Sequence, residues 1–182
     1  MKKYYKEYEV VPKSLKNGKI KKDIEYTGQY YISHQNKAEL FNYKLICLVL
    51  TIICFVVLIG LGFLKTSVSR IFYITIPYIC LFLPAFYSLI GAIRLMSSSD
   101  KMEHVAYDRS LNRIVKSVAG QMFLCFVTII GTIYYLVTDK NMEREQNSII
   151  FFLGIVLILF VNLVLLLIRR KVVYKVEGTE KE

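Results

Sequence analysis

Four long apolar stretches constrain this chain more than any other feature of its sequence. They are residues 43–64, 71–96, 118–137 and 148–168. Each has about 20 mostly apolar residues, the length that a helix rising about 1.5 Å per residue needs to cross about 30 Å of hydrocarbon. The predicted fold class is therefore an all-α membrane protein with four transmembrane helices. The hydrophobic fraction, 55% of 182 residues, exceeds that of an ordinary soluble domain and supports this prediction.

Short connections separate the first span from the second and the third from the fourth. Helices joined so closely are antiparallel neighbours, so the four spans are expected to form two antiparallel hairpins. Three longer parts remain outside the transmembrane domain of residues 43–168. They are an N-terminal segment of residues 1–42, a middle segment of residues 97–117 and a tail of residues 169–182.

Positive charge is concentrated in these three parts. Lys and Arg number ten up to Lys44, five from Arg94 to Lys116 and five after Ile168, whereas the two short connections hold two each. Because Lys and Arg are retained in the cytoplasm, this count of twenty against four predicts a multi-pass membrane protein with both termini cytoplasmic. The net charge of +10 then indicates an anionic cytoplasmic leaflet as the partner, and not nucleic acid.

The N-terminal segment has the pattern of a small β-hairpin. Asn17-Gly18 is the dipeptide that a two-residue type I′ turn prefers, and that turn would place Val11 opposite Ile24. The tail residues 171–177 are rich in β-branched side chains and are expected to add a third strand, because a two-stranded hairpin alone is marginally stable. A disordered basic arm is the alternative. Six tyrosines among the first 31 residues argue against it.

Two capping patterns predict helix starts outside the spans. Asn36 with Glu39 resembles a capping box, so the first helix is expected to begin near Lys37, ahead of the membrane. Asp100 with Glu103 marks a second possible start, in the middle segment.

The interiors of the spans hold no Asp, Glu, Lys or His. Such residues usually mark proton relays and ion-coupled transport, so their absence from the sequence argues against both. Gln121 and Asn162 are the strongest polar groups in the spans, and Pro77 and Pro84 free backbone carbonyls in the second. These four residues would line a substrate path or make interhelical polar contacts, and the second interpretation fits better.

The middle segment collects charged side chains that predict a contact surface on an amphipathic helix. They are Glu103, His104, Asp108, Arg109 and Arg113. The same groups would suit acid-base chemistry in a membrane-surface enzyme. Their spacing matches no catalytic pattern, and the chain has no P-loop, G-x-S-x-G or H-E-x-x-H motif. No catalytic residue, cofactor site or metal site is therefore predicted.

Three stretches resemble small four-span membrane proteins of Gram-positive bacteria. They are Ser69–Met96, Met102–Ser117 and the YTGQYYIS run at Tyr26–Ser33. The resemblance implies a bacterial plasma membrane location. It transfers no catalytic residue, because none is known for those proteins.

The function expected from these observations is that of a non-enzymatic membrane protein acting as an accessory or scaffold subunit. It would work through its cytoplasmic contact surfaces, by binding a protein partner or by self-association. The first alternative is a small oligomeric transporter or channel. The second is a membrane-surface enzyme that uses the middle segment.

Overall fold

The computed structural model of this protein describes residues 7–14, 20–33, 35–138, 146–172 and 174–177. Most of that part of the chain is helical, and five short strands in it form two antiparallel sheets. The helices are α1 (Lys37–Gly62), α2 (Phe72–Cys80), α3 (Phe82–Met96), α4 (His104–Tyr107), α5 (Arg113–Thr138) and α6 (Gln146–Lys171). The strands are β1 (Tyr8–Ser14), β2 (Ile20–Tyr26), β3 (Tyr30–Ser33), β4 (Lys101–Glu103) and β5 (Tyr174–Glu177).

Four helical stretches are long and apolar enough to cross a membrane: α1, α2 with α3, the run from α4 to α5, and α6. They overlap the four predicted spans. The first begins at Lys37, as the pattern at Asn36 predicts, and the backbone N–H of Leu40 donates to the Asn36 carbonyl at 3.0 Å. Within the described residues the Asn36 side chain makes no cap hydrogen bond, so the helix starts there without a capping box.

Proline explains why the second stretch consists of two helices. Pro84 has no N–H to donate to the carbonyl of Cys80, and its ring displaces that carbonyl. The helix is interrupted at Leu81, next to that carbonyl. Pro77 lies inside α2, and its carbonyl accepts from the N–H of Leu81 at 3.1 Å, so Leu81 keeps helical backbone angles across the interruption.

The four stretches form a ring in chain order. α1 contacts α3 and α6, and α5 contacts α2, α3 and α6. Each stretch therefore packs against the next, and the fourth packs against the first. The space enclosed by the ring is the core.

Two apolar clusters fill this core. The sheet-end cluster consists of Leu40, Tyr43, Cys47, Ala92, Leu95, Met102, Leu111, Ile114, Val118 and Leu165. The far-end cluster consists of Cys54, Leu58, Leu61, Val68, Ile74, Tyr78, Leu81, Ala85, Cys125, Phe151, Ile155, Ile158 and Val161. The buried cysteines, Cys47, Cys54 and Cys125, are free thiols that pack in these clusters as small core residues.

The outward faces of the helices are also apolar. Phe72, Leu83 and Phe123, for example, are 81%, 67% and 67% exposed. Apolar area of this extent is costly in water, so the outer surface of the ring is suited to a hydrocarbon environment.

The first sheet pairs β1 with β2, and the predicted register is wrong by one residue. Val10, and not Val11, lies opposite Ile24. A shift of one residue turns every side chain of a strand to the other face. The turn at Asn17-Gly18, from which the predicted register followed, lies outside the described residues.

The second sheet has the order β4-β3-β5 and corrects the prediction for the tail. The tail does form a strand, but β5 pairs with β3 and not with the β1–β2 hairpin. β4, from the middle segment, pairs with the opposite edge of β3. Three parts of the chain that are far apart in sequence therefore meet in one sheet. We call the end of the ring that carries it the sheet end.

The middle segment forms no separate surface helix. Its helix starts at His104, directly after β4, and continues through a π-helical segment (Asp108–Asn112) into α5. Gly91 of α3 permits the close approach of this segment. A Cβ atom at Gly91 would lie 3.1 Å from the Ser110 carbonyl oxygen and 2.8 Å from Cγ1 of Ile114.

Candidate functional site

The central strand β3 joins the sheet end together. Tyr30 lies opposite Glu103 on β4 and opposite Glu177 on β5. Tyr31, the next residue, lies opposite Met102 and Val176. Because neighbouring residues of a strand point to opposite faces, Tyr31 and Met102 face one way while Tyr30 faces the other. Met102 is 1% exposed and belongs to the sheet-end cluster, so its face of the sheet packs on the bundle.

Stacked tyrosines connect this sheet to the helices. The ring of Tyr31 stacks on that of Tyr107, with centroids 4.1 Å apart and planes within 9°. Tyr174 of β5 packs edge-on against Tyr107 at 5.7 Å. Arg169, near the end of α6, donates from Nη2 to the Tyr107 hydroxyl at 3.3 Å. Strand β3, which precedes α1, and strand β5, which follows α6, thus both contact the side chain of Tyr107.

Hydrogen bonds attach the β1–β2 hairpin to the start of the middle helix. Tyr8 donates its hydroxyl proton to Oε2 of Glu103 at 2.9 Å. Glu7 Oε1 lies 2.9 Å from Nδ1 of His104. The backbone N–H of His104 donates to the Tyr26 hydroxyl at 3.0 Å. These contacts between residues 78 to 97 positions apart fix the hairpin against the three-stranded sheet.

Tyr26 is at the centre of this attachment. Its hydroxyl oxygen lies 3.1 Å from Oε2 of Glu7 and 2.9 Å from the Gln29 carbonyl oxygen, both acceptors for its one proton. The tyrosine ring folds back over Gly28, where a Cβ atom would lie 2.5 Å from the hydroxyl oxygen. Only glycine leaves room for this ring position.

The environment keeps these phenols protonated. Burial raises the pKa of Tyr26 to about 12, and the neighbouring Glu7 carboxylate also raises it. Burial and the hydrogen bond to Glu103 raise the pKa of Tyr8 in the same way. Both side chains therefore remain hydrogen-bond donors at neutral pH.

The charged residues predicted in the middle segment lie in different surroundings. Glu103 and His104 contact the hairpin. Asp108 accepts from Nδ2 of Asn112 at 2.9 Å, within its own helical run.

The two arginines of that set lie further along. Arg109 is exposed, and the guanidinium of Arg113 lies 5.4 Å from the centre of the Tyr87 ring. Two of the five predicted residues thus hold the hairpin, while the other three extend along the helix. These charged side chains can therefore attach one part of the protein to another, or to a partner, through hydrogen bonds and ion pairs.

The four residues predicted in the spans lie inside the ring or at its edge. Pro77 lies in α2, one turn before the interruption at Leu81, and is buried. Pro84 is half-buried and lies near Gly120 of α5. Gln121 is 2% exposed and Asn162 is fully buried. Because Asn162 faces the interior, its amide is directed away from the outer surface of the ring.

Several residues of the site were missed in the sequence. Glu7, Tyr8 and Tyr26 are the side chains that attach the hairpin, and no local motif marks them. Their only signal is the number of tyrosines before the first helix. In the bundle, the buried Thr51 of α1 was also missed. Its hydroxyl donates to a carbonyl of its own helix, so the threonine does not interrupt the apolar pattern of the sequence.

An exposed apolar pair lies on the hairpin. Val10 and Ile24 are opposite each other and are 60% and 67% exposed. Directly opposed side chains form one continuous apolar patch, and within the described residues the sheet has only these two strands. We call Val10 and Ile24 the hairpin patch.

Comparison of the chain with protein families, with curated proteins and with solved structures finds no match in any of the three.

Proposed function

We propose that this chain is a non-enzymatic multi-pass protein of a bacterial plasma membrane, and that it serves as an accessory or scaffold subunit. The sheet end is its cytoplasmic working surface, and the hairpin patch is where a protein partner or a second copy binds. The observation that carries the proposal is that three remote parts of the chain assemble one surface, with an exposed apolar pair above it.

The membrane location is supported by the four spanning-length helices and their apolar outward faces. The cytoplasmic orientation of the sheet end is supported by the charge count, twenty Lys and Arg against four. Bacterial origin rests on the resemblance alone. Anionic lipid on the cytoplasmic side would attract the basic segments and hold the sheet end close to the membrane.

The orientation is tested by labelling single cysteines in a variant whose native cysteines are replaced by alanine. Ser99→Cys lies at the sheet end and Lys65→Cys at the other end, and both positions are exposed. A membrane-impermeant maleimide should label Lys65→Cys in intact cells and Ser99→Cys only after the cells are opened. The opposite pattern contradicts the proposed orientation.

The binding surface is tested with full-length tagged protein, cross-linked in its native membrane and then purified. A species of defined stoichiometry, either an oligomer or a complex with one partner, is expected from the native sequence. The double variant Val10→Ser, Ile24→Ser should lose it, because the patch becomes polar.

Val176→Ser is the matched control, since Val176 is a β-branched residue on a different strand and is 48% exposed. It should retain the species. A native protein that is monomeric and alone in its membrane would contradict the scaffold proposal, as would a species that survives the double variant.

One observation favours a transporter as the second candidate, namely the buried amide of Asn162 in the core. The core on either side of it is apolar, which opposes a continuous polar path through one chain. Flux of small solutes into vesicles that contain the chain, reduced by Asn162→Ala, would support transport. Flux that Asn162→Ala leaves unchanged would dismiss it.

A further inference from the structure

A layer of buried polar side chains separates the two apolar clusters. Each stretch of the ring contributes one polar residue at the level between the clusters, and each of these residues is at most 2% exposed. They are Thr51 of α1, Ser88 of α3, Gln121 of α5 and Asn162 of α6. We call these four residues the polar layer.

Their common level follows from the residues one helical turn away. On α1, Cys47 belongs to the sheet-end cluster and Cys54 to the far-end cluster, with Thr51 between them. The same alternation brackets the other three members. The bracketing pairs are Ala85 and Ala92 for Ser88, Val118 and Cys125 for Gln121, and Ile158 and Leu165 for Asn162. Four positions between the same two clusters, on four helices of one ring, lie at one depth.

The hydrogen-bonding capacity of this layer is unbalanced. Thr51 donates its hydroxyl proton to the Cys47 carbonyl at 2.7 Å, and Ser88 donates to the Ala85 carbonyl at 2.8 Å. Both hydroxyl oxygens can then only accept. Neither Oδ1 nor Nδ2 of Asn162 has a hydrogen-bond partner among the described residues.

The acceptor oxygens of Asn162, Thr51 and Ser88 cannot bond to one another. The Gln121 amide could both donate and accept. Asn162 has no hydrogen-bond partner among the described residues, however, so Gln121 does not bond to it. A group that donates to Oδ1 of Asn162 and accepts from its Nδ2 would satisfy the layer. Water has both capacities and needs two to four polar partners in a buried site. A cation would meet the oxygens but would find no carboxylate in the layer, and a bare charge at this depth is strongly unfavourable.

We infer that the polar layer is a binding site for water, which bridges the Asn162 amide to the hydroxyl oxygens of Thr51 and Ser88 in the middle of the bundle. This site goes beyond the proposed scaffold function and does not depend on the orientation of the chain. It gives the core a neutral, hydrated centre between two dry clusters.

The test uses full-length ¹⁵N-labelled protein in vesicles of phosphatidylglycerol and phosphatidylethanolamine with deuterated acyl chains. Solid-state NMR measures magnetisation transfer from water protons to individual amides. Transfer to the side-chain amide of Asn162 should be at least about tenfold stronger than transfer to the backbone amide of Ile158, one turn away in the dry far-end cluster. The exposed side chain of Asn147 serves as the positive control.

Thr51→Val removes one acceptor oxygen and keeps the shape of the side chain. It should reduce water transfer to the Asn162 amide by at least half. Thr128→Val, which alters a fully buried threonine two turns from the layer on α5, should leave the transfer unchanged.

Transfer to Asn162 no stronger than to Ile158 would overturn the inference, and so would a direct hydrogen bond between the amides of Asn162 and Gln121. Flotation of the chain with the vesicles tests the membrane location separately. If the chain does not float, the same transfer is measured in detergent micelles, where the two expected ratios still apply.

Discussion

The bundle and the sheet end of this protein are held together in different ways. In the bundle the backbone hydrogen bonds lie within each helix, except where Pro77 and Pro84 lack an N–H, and the helices pack through apolar side chains. At the sheet end, short strands depend on partners elsewhere in the chain, and hydrogen bonds of Tyr8 and His104 join residues 95 and 97 positions apart. The bundle is therefore determined by local sequence, whereas the sheet end exists only when the bundle has brought its segments together.

The largest effect that would separate the two regions is expected from Met102→Ala. Met102 lies on a strand of the sheet but is buried in the sheet-end cluster. Truncating a buried methionine to alanine reduces the free energy of unfolding by about 2–5 kcal/mol. We expect this loss to fall on the sheet end, so that amide hydrogen exchange in β3 accelerates about tenfold or more, while exchange in the middle of α1 is unchanged.

Lys101→Ala is the control for that variant, because Lys101 is the neighbouring residue on the exposed face of β4. Its ammonium lies 4.1 Å from the centre of the Tyr30 ring, a contact worth about 0.5–1 kcal/mol at an exposed site. Exchange in β3 should change little. If Met102→Ala accelerates exchange in α1 and α6 as much as in β3, the bundle and the sheet end unfold as one unit, which contradicts their expected independence.

A smaller effect is expected inside the bundle from Gly91→Ala. The added methyl group would lie 2.8 Å from Cγ1 of Ile114 and 3.1 Å from the backbone oxygen of Ser110, so α3 and the π-helical segment must move apart. Such overpacking costs about 1–3 kcal/mol of unfolding free energy. Thermal unfolding of detergent-solubilised protein, followed by circular dichroism, should show a lower Tm.

Gly60→Ala provides the matched control, because a Cβ atom there meets nothing within 4 Å. Alanine is a better helix former than glycine by about 1 kcal/mol, so Tm should stay the same or rise. Equal increases in Tm for both variants would show that the α3 contact at Gly91 is not tight.

The smallest effect is expected at alkaline pH, and only at the sheet end. The pKa of Tyr26 is about 12 in the folded protein, against an ordinary value of 10.0. Between these two pH values the folded state keeps the phenol proton and the unfolded state releases it. The stabilisation is therefore fully present below about pH 10 and is lost as the pH rises towards 12.

Hydrogen exchange in β2, measured across this pH range and corrected for the intrinsic rate, should accelerate in the native protein. Tyr26→Phe should reduce that dependence to the part that Tyr8 contributes, whereas Tyr134→Phe, at an exposed position on α5, should keep it in full. The same acceleration in Tyr26→Phe would mean that another group controls the attachment.

The sequence predicts the two regions unequally for a physical reason. Apolar stretches of spanning length specify helices without reference to the rest of the chain, and the four helices are confirmed. The predicted hairpin register depended on one turn, and it was wrong by one residue at Val10. The tail strand was predicted from its β-branched residues, but those residues do not indicate which strand it joins, and β5 pairs with β3.

The candidate site shows the same division. Gln121 and Asn162 stand out as amides in apolar runs, so the sequence identifies half of the polar layer. Thr51 and the hairpin attachments of Tyr8 and Tyr26 depend on which helices and strands become neighbours. That information is distributed over the whole fold and is carried by no short motif.

The position of β3 between β4 and β5 also fixes the order in which the protein can be completed. β3 precedes α1 in the chain, and β5 follows α6. During synthesis the central strand is made early but lacks one edge partner until the ribosome has passed the last helix. The three-stranded sheet can therefore form only on a chain whose four helices have all been made, and a chain truncated before β5 lacks the complete surface.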